Sequence, residues 1–245
     1  MRVGLFVPCY IDQFFPGVGI ATLQLLEKLG MEVVFPLQQT CCGQPMANSG
    51  FASLSKGCDA NFIDNFSGVD YIVAPSGSCV LHIKEHLHSE KDPAAAEKVR
   101  ATVYELTEFL VDVLDITDLP ARFPHRVGLH ISCHGQRGLH TSSMTETNSP
   151  VFSKPEKLLS MVQDLVLVKP ARQDECCGFG GTFCVFEEAV SVKMGKDRIN
   201  EHQRNEVEVI TAGDVSCLMH LEGILKRSGS GTRIMHIAEI LNTAV

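Results

Sequence analysis

The chain has 245 residues, of which 44% are hydrophobic and 20% are charged, and its formal net charge is −8 at pH 7. This composition excludes a disordered chain, and no apolar run approaches the roughly 20 residues that cross a bilayer, so we expect no transmembrane segment. The acidic balance argues against a nucleic-acid partner, because phosphate binding calls for a basic face.

Strand-like and helical segments alternate along the chain. Runs rich in Val, Leu and Ile predict strands at 3–7, 32–36 and 70–74 in the first half, and at 127–131, 164–168 and 207–211 in the second. Helical spacing ends at Gly30 before the second strand, and the charged stretch 97–114 also predicts a helix. This alternation predicts an α/β fold with parallel sheets and right-handed crossovers.

Eight of the ten cysteines form one pattern that occurs twice. A single cysteine is followed by a Cys-Cys-Gly run and by another single cysteine, at Cys9, Cys41, Cys42 and Cys79 and again at Cys133, Cys176, Cys177 and Cys217. The residues 3–9 and 127–133 resemble each other too. Such a repeat indicates two copies of one unit, so we predict two pseudo-symmetric lobes, a first domain at 1–120 and a second at 121–245.

Every cysteine of the repeat follows a predicted strand. Because ligands of parallel sheets gather at the carboxyl ends of strands, three cysteine-bearing loops in each half should converge on one site. The chain opens on an apolar strand pattern rather than on a signal segment, so we expect a cytoplasmic protein. Thiols stay reduced there, and ten cysteines then point to metal binding rather than to disulfides.

The adjacent cysteines indicate the kind of metal. A mononuclear zinc site usually separates two ligands of one loop by other residues, whereas an iron-sulfur cluster spreads its thiolates over several irons. Gly43 and Gly178 let the backbone approach the sulfurs and donate N–H groups, and Gly180 and Gly181 extend that loop. Structural zinc, or buried thiols without metal, are the alternatives, and zinc in one half stays open. Cys58 and Cys184 break the repeat and are expected to be buried small side chains.

Four further residues repeat around the last cysteine of each half. Ser76 and Asp214 precede Cys79 and Cys217 by three residues and are expected to be helix N-caps, which would place each cysteine in a first helical turn. His82 and His220 follow the same cysteines by three residues. We expect them to contact the cluster from the next helical turn, with a satisfied core histidine as the alternative.

These motifs resemble those of the Cys-Cys-Gly domain family of iron-sulfur subunits, which includes heterodisulfide reductase B subunits and iron-sulfur subunits of glycolate oxidase and anaerobic glycerol-3-phosphate dehydrogenase. The stretches 75–79, 176–183 and 216–220 most resemble the lactate-utilisation protein A group, and the similarity covers essentially the whole chain. Heterodisulfide reductases carry a fifth cysteine in each half, where this chain has Ser76 and Asp214. Four thiolates per half therefore fit an ordinary 4Fe-4S cluster better, which predicts two such clusters.

The resemblance implies an iron-sulfur electron-transfer component of a multi-subunit system that oxidises L-lactate to pyruvate. Its partners would be the other subunits of that complex, including a further iron-sulfur protein. No dinucleotide fingerprint follows a predicted strand, so the chain is expected to be an oxidoreductase subunit that is not catalytic alone. Two alternatives remain open: a heterodisulfide or thiol-disulfide reductase subunit that reacts at its own cluster, and a zinc-stabilised assembly subunit without redox activity.

Overall fold

A computed structural model describes residues 1–148 and 150–244. Its strands are β1 (Arg2–Leu5), β2 (Glu32–Val34), β3 (Tyr71–Ala74), β4 (Val103–Glu105), β5 (Arg126–Leu129), β6 (Val166–Val168), β7 (Val209–Ala212) and β8 (Arg233–His236). They form two parallel sheets with the orders β2-β1-β3-β4 and β6-β5-β7-β8. The predicted α/β fold with two pseudo-symmetric lobes is confirmed.

Helices connect the strands in both lobes. The first lobe contains α1 (Cys9–Phe14), α2 (Pro16–Lys28), α3 (Gln44–Asn48), α4 (Lys56–Phe66), α5 (Gly77–His86), α6 (Pro93–Thr102) and α7 (Leu106–Glu108). The second contains α8 (Lys154–Leu159), α9 (Phe183–Phe186), α10 (Glu188–Arg204), α11 (Val215–Ser228) and α12 (Ile237–Leu241). A 3₁₀-helical turn lies at Ala52–Ser55, and π-helical turns lie at Phe109–Val113 and His134–Gly138.

The outer strand of each sheet differs from the sequence-based prediction. The stretch 97–114 is not one helix, because α6 ends at Thr102 and β4 follows directly. β8 was not predicted. Both strands are three or four residues long and end at a helix cap, Glu105 or His236, which forms a capping box with the glutamate three residues later. The two strands are extended because they pair with β3 and β7. Runs this short show little hydrophobic periodicity, so the sequence did not predict them.

The two sheets have the same register. Val3 in β1 pairs with Val33 and Tyr71, and Val127 in β5 pairs with Leu167 and Val209. Residues 3 and 127 therefore occupy equivalent positions in the two lobes, and so do the residues that follow them. The repeat seen in the cysteines extends to the backbone.

A shared core joins the lobes. Its buried residues come from both sheets and include Val3, Leu5, Val127 and Leu129. α12 packs against α2 of the first lobe, where Asn242 also accepts a hydrogen bond from Lys28 at 2.7 Å. Smaller clusters fill the outer side of each sheet. Because the end of the chain packs on the first lobe, the domain boundary at residue 120 stays a prediction.

None of the helices in the described parts of the chain combines the length and the apolar character that a membrane span requires.

Candidate metal centres

The first site lies at the carboxyl edge of the first sheet. Cys9 begins α1, Cys41 and Cys42 lie in the loop before α3, and Cys79 lies in the first turn of α5. The Sγ atoms of Cys9 and Cys41 are 3.7 Å apart. The thiol of Cys42 is hydrogen-bonded to those of Cys41 and Cys79, so the four sulfurs form one connected group.

The second lobe repeats this arrangement. Cys133 precedes the turn His134–Gly138, Cys176 and Cys177 follow β6, and Cys217 lies in the first turn of α11. The thiol of Cys176 is hydrogen-bonded to those of Cys133 and Cys177, and Cys177 is hydrogen-bonded to Cys217. The structure thus brings together all eight cysteines of the repeat as two groups of four. All ten cysteines are free thiols.

The crowding of the thiols separates their pKa values. Hydrogen bonds from Cys42 and Cys9 lower the pKa of Cys41 to about 2, and hydrogen bonds from Cys133 and Cys177 do the same for Cys176. The same contacts, together with burial, raise the pKa of the donating thiols Cys9, Cys42, Cys133 and Cys177. The contacts therefore favour a thiolate at Cys41 and at Cys176, and a bound cation would favour ionisation of the thiols around them.

Backbone N–H groups add to each Cys-Cys-Gly run. The N–H of Gly43 donates to Cys41 Sγ at 3.4 Å, and that of Gly178 donates to Cys176 Sγ at 3.3 Å. Both glycines have left-handed backbone angles, with φ of 90° and 92°. Gly180 and Gly181 also have positive φ, and the carbonyl oxygen of Gly181 accepts a hydrogen bond from the Cys184 thiol. The predicted role of Gly180 and Gly181 beside the cluster stays a prediction.

The two repeated histidines lie close to the Cys-Cys-Gly runs. His82 is buried, which lowers its pKa, and it lies within electrostatic reach of Cys41. His220 is half-buried with a pKa lowered for the same reason, lies within reach of Cys176, and its Nε2 is 3.3 Å from the carbonyl oxygen of Ser191. Their placement fits contact with a bound group. That role stays a prediction.

The two predicted N-caps behave differently. Asp214 accepts from the N–H of Ser216 at 3.3 Å and therefore caps α11. Ser76 has the N-cap position of α5, but among the described residues its side chain accepts no capping hydrogen bond. The N–H of Ser78 donates instead to Asp214 Oδ2 at 2.8 Å. The aspartate thus serves both helices that carry a terminal cysteine, because the two helix N-termini meet at the lobe interface.

Some residues near the sites were not predicted from the sequence. Cys58 and Cys184 are half-buried rather than buried, and Cys58 lies within electrostatic reach of Cys41.

The ring of Phe179 contacts those of Tyr10 and His220, with centroids 6.2 and 6.3 Å apart, so ring contacts join the two sites. His130 lies with Cys177 and Cys217, and burial keeps its pKa well below the usual range. His130 precedes Cys133 by three residues, where the first half has Phe6 before Cys9, and this difference between the two repeats was the signal in the sequence that could have identified it.

The donor sets fit a thiolate-bound metal ion or cluster. Each site offers four thiols in contact, backbone N–H groups directed at sulfur, and glycines where a Cβ would collide. On Gly178 a Cβ would lie 2.5 Å from the carbonyl oxygen of Ser191. Soft thiolate ligands of this kind select iron-sulfur clusters, zinc or copper. The fold and the sites define a class: a duplicated α/β protein with one four-cysteine site in each lobe.

Comparison with known proteins gives the family. The family described as "Cysteine-rich domain" matches residues 3–84 and 127–222. A "Lactate utilization protein A" from an Exiguobacterium species is 43% identical over 250 residues, covering 100% of this chain and 98% of that protein, and one from Geobacillus kaustophilus is 42% identical over 246 residues, covering 99% of each. The chain belongs to the cysteine-rich domain family and, within it, to the lactate utilization protein A group.

A solved structure shares the fold. A hypothetical protein from Helicobacter pylori superposes with a TM-score of 0.63 at 12% sequence identity, over 98% of this chain and 48% of that one. At this identity the likeness concerns the fold alone.

Proposed function

We propose that the chain is an iron-sulfur electron-transfer component of a multi-subunit system that oxidises L-lactate to pyruvate. The observation that carries the proposal is the pair of four-thiol sites, one in each lobe, in a chain whose relatives are named for lactate utilisation. A bound 4Fe-4S cluster supplies one-electron transfer. Two such sites suit transport of electrons better than chemistry on lactate, which loses two electrons and a hydrogen from Cα.

The chain's own residues would bind, order and shield these groups. The cysteines of the repeat would bind the metal, and the N–H groups of Gly43 and Gly178 would donate to sulfur and stabilise its negative charge. Cys42 and Cys177 are only 4% and 3% exposed, so water is largely excluded from the inner side of each site. Cys9, Cys41, Cys133 and Cys176 are half-buried and leave an accessible side for a redox partner.

The two sites are also joined within the chain. Tyr10 follows Cys9, Phe179 donates its N–H to Cys177 Sγ at 3.5 Å, and the two rings meet edge to face. This contact crosses the lobe interface between the cysteine loops. We propose that an organic redox cofactor and the base for lactate reside in partner subunits, and that this cytoplasmic chain connects those subunits to an acceptor.

The proposal is tested in two steps. Anaerobically prepared protein should contain two clusters, which corresponds to about eight irons per chain with matching sulfide. Zinc at stoichiometry with negligible sulfide would overturn the cluster assignment. The purified chain with an artificial acceptor should form no pyruvate from lactate. Lactate should instead reduce its clusters when it is mixed with the proteins that co-purify with it from lactate-grown cells. Pyruvate formation by the chain alone would make it the dehydrogenase and overturn the relay assignment.

A further inference from the structure

The two lobes differ behind their metal sites. Phe6 follows β1 and His130 follows β5, at equivalent positions of the repeat. The helices behind them match as well. A Cβ on Gly4 would lie 2.7 Å from the Phe66 ring, and a Cβ on Gly128 would lie 2.4 Å from His202 Nδ1. The same space thus holds phenylalanine in one lobe and histidine in the other.

In the first lobe this space is an aromatic cluster. The ring of Phe6 meets those of Phe62 and Phe66 edge to face, with centroids 4.9 and 5.9 Å apart, and all three side chains are buried. The cluster has no polar side-chain atom. It therefore offers no donor atom to the site of Cys9, Cys41, Cys42 and Cys79.

In the second lobe the same space is polar. His130 is 1% exposed, and among the described residues neither of its ring nitrogens has a hydrogen-bond partner. His202 behind it is equally buried. Arg198 is fully buried, and its Nη1 donates to Glu201 at 2.9 Å, while its Nε and Nη2 find no acceptor in the described parts of the chain. Buried polar groups are normally hydrogen-bonded, so a buried imidazole without a partner points to a group that would bind it.

The sulfurs of the second site lie beside the imidazole of His130. One ring nitrogen of His130 and the Sγ atoms of Cys177 and Cys217 all lie within 4.8 Å of one another, and all three residues are buried. Donor atoms this close can bind a single metal ion, and a neutral imidazole nitrogen is a common metal ligand beside thiolates. We propose that in the second lobe a ring nitrogen of His130 binds an iron in place of one of the two thiols beside it, Cys177 or Cys217. This site would then have three thiolates and one imidazole where the first has four thiolates.

The two sites should differ in reduction potential. A neutral nitrogen gives an iron less negative charge than a thiolate does, and histidine ligation raises the reduction potential of iron-sulfur centres. Arg198 lies within electrostatic reach of Cys177 and adds positive charge on the same side. The inference rests on the proposed function in so far as the second lobe must hold iron. Given that, the second site should be reduced at a higher potential than the first.

The test uses the full chain, prepared anaerobically with ferrous iron and sulfide and labelled with ¹⁵N-histidine. In the reduced protein, electron-nuclear double resonance should show a directly bound ¹⁵N nucleus. The coupling should disappear in His130→Phe, the residue that the first lobe already carries in this space. His202→Phe is the matched control in the same polar cluster and should keep the coupling. In a redox titration, two separate potentials should approach each other in His130→Phe only.

A second variant keeps the assignment decidable if His130→Phe does not fold. His82→Phe/His134→Gln/His220→Phe removes the three other histidines beside the cysteine sites and should retain the ¹⁵N coupling. Loss of the coupling in that variant, or bound iron without any ¹⁵N coupling, would overturn the role of His130 while leaving the proposed function intact. A chain whose second lobe binds no iron would overturn both.

Discussion

The carboxylate of Asp214 accepts a hydrogen bond from the backbone N–H of Ser78 in the other lobe, at 2.8 Å. Both residues are buried, and each lies beside the terminal cysteine of its own site. The same carboxylate caps α11 through the N–H and hydroxyl of Ser216. One side chain therefore orders the first turns that carry Cys79 and Cys217, and it does so across the lobe interface.

We expect Asp214→Ala to destabilise both sites. The substitution leaves the buried N–H of Ser78 unpaired and removes the cap of α11, and each loss costs about 1–2 kcal/mol. Iron content should fall in both lobes, because both helix starts lose their order. Asp214→Asn retains one acceptor oxygen and should be milder. Thermal unfolding and iron analysis check this, and Ser76→Ala is the control. Ser76 makes no capping bond among the described residues, so its substitution should cost less stability than that of Asp214 and should leave the iron content unchanged.

Cysteine substitutions separate the repeat from the other thiols. Cys42→Ser and Cys177→Ser should each remove or convert one cluster and lower stability, because metal binding is coupled to the folding of these loops. Cys58→Ser and Cys184→Ser are the matched controls and should leave both clusters, although both thiols lie near the sites. Iron and sulfide analysis of the four variants checks this. Equal iron content in all of them would contradict the assignment of the ligands.

The glycine of the second Cys-Cys-Gly run tests the backbone contribution. Gly178→Ala places a Cβ 2.5 Å from a backbone oxygen in a left-handed conformation, so the loop must shift and the N–H donor to Cys176 moves with it. We expect a loss of about 2 kcal/mol or more in stability and loss of the second cluster alone. Gly223→Ala in α11 meets nothing within 4 Å and should stabilise the protein by about 0.5–1 kcal/mol. Similar behaviour of the two variants would contradict a special role for Gly178.

The sequence predicted the parts of the molecule that repeat locally. Six strands, the parallel arrangement and the grouping of eight cysteines followed from periodicity and spacing. The Asp214–Ser78 bond could not be predicted, because it joins residues 136 positions apart at an interface whose geometry depends on the whole fold. His130 was missed for a related reason. Its environment of Arg198 and His202 lies on α10, which the cysteine pattern does not locate.

The buried carboxyl of Glu105 lies at the same interface. Its Oε2 accepts from the N–H of Thr107 at 2.7 Å, while Oε1 faces Gly213 and has no partner in the described residues. Burial, reinforced by the nearby carboxylate of Glu108 and opposed by the hydrogen bond from Thr107, raises the pKa of Glu105 from 4.5 to about 8. The native protein is therefore expected to hold a proton on Glu105 at neutral pH.

This proton makes stability depend on pH. Between pH 4.5 and 8 the native state binds a proton that the unfolded state has released, so Glu105 lowers stability as pH rises, by at most about 1.4 kcal/mol per pH unit. The effect should level off above pH 8. His236 has the opposite sign, since burial lowers its pKa to about 4, and it acts only below about pH 6.5. The range from pH 6.5 to 8.5 therefore isolates Glu105 from His236.

Glu105→Gln removes the titration while keeping an acceptor for Thr107. We expect the thermal midpoint of the wild-type protein to fall relative to that of Glu105→Gln as pH rises from 6.5 to 8.5, and the two curves to run parallel above that range. Glu208→Gln is a control, because Glu208 is exposed and its pKa is lowered by the backbone N–H of Arg126 and by His125. Its variant should track the wild type through the window. A constant difference between wild type and Glu105→Gln across this range would show that Glu105 is already ionised in the folded protein.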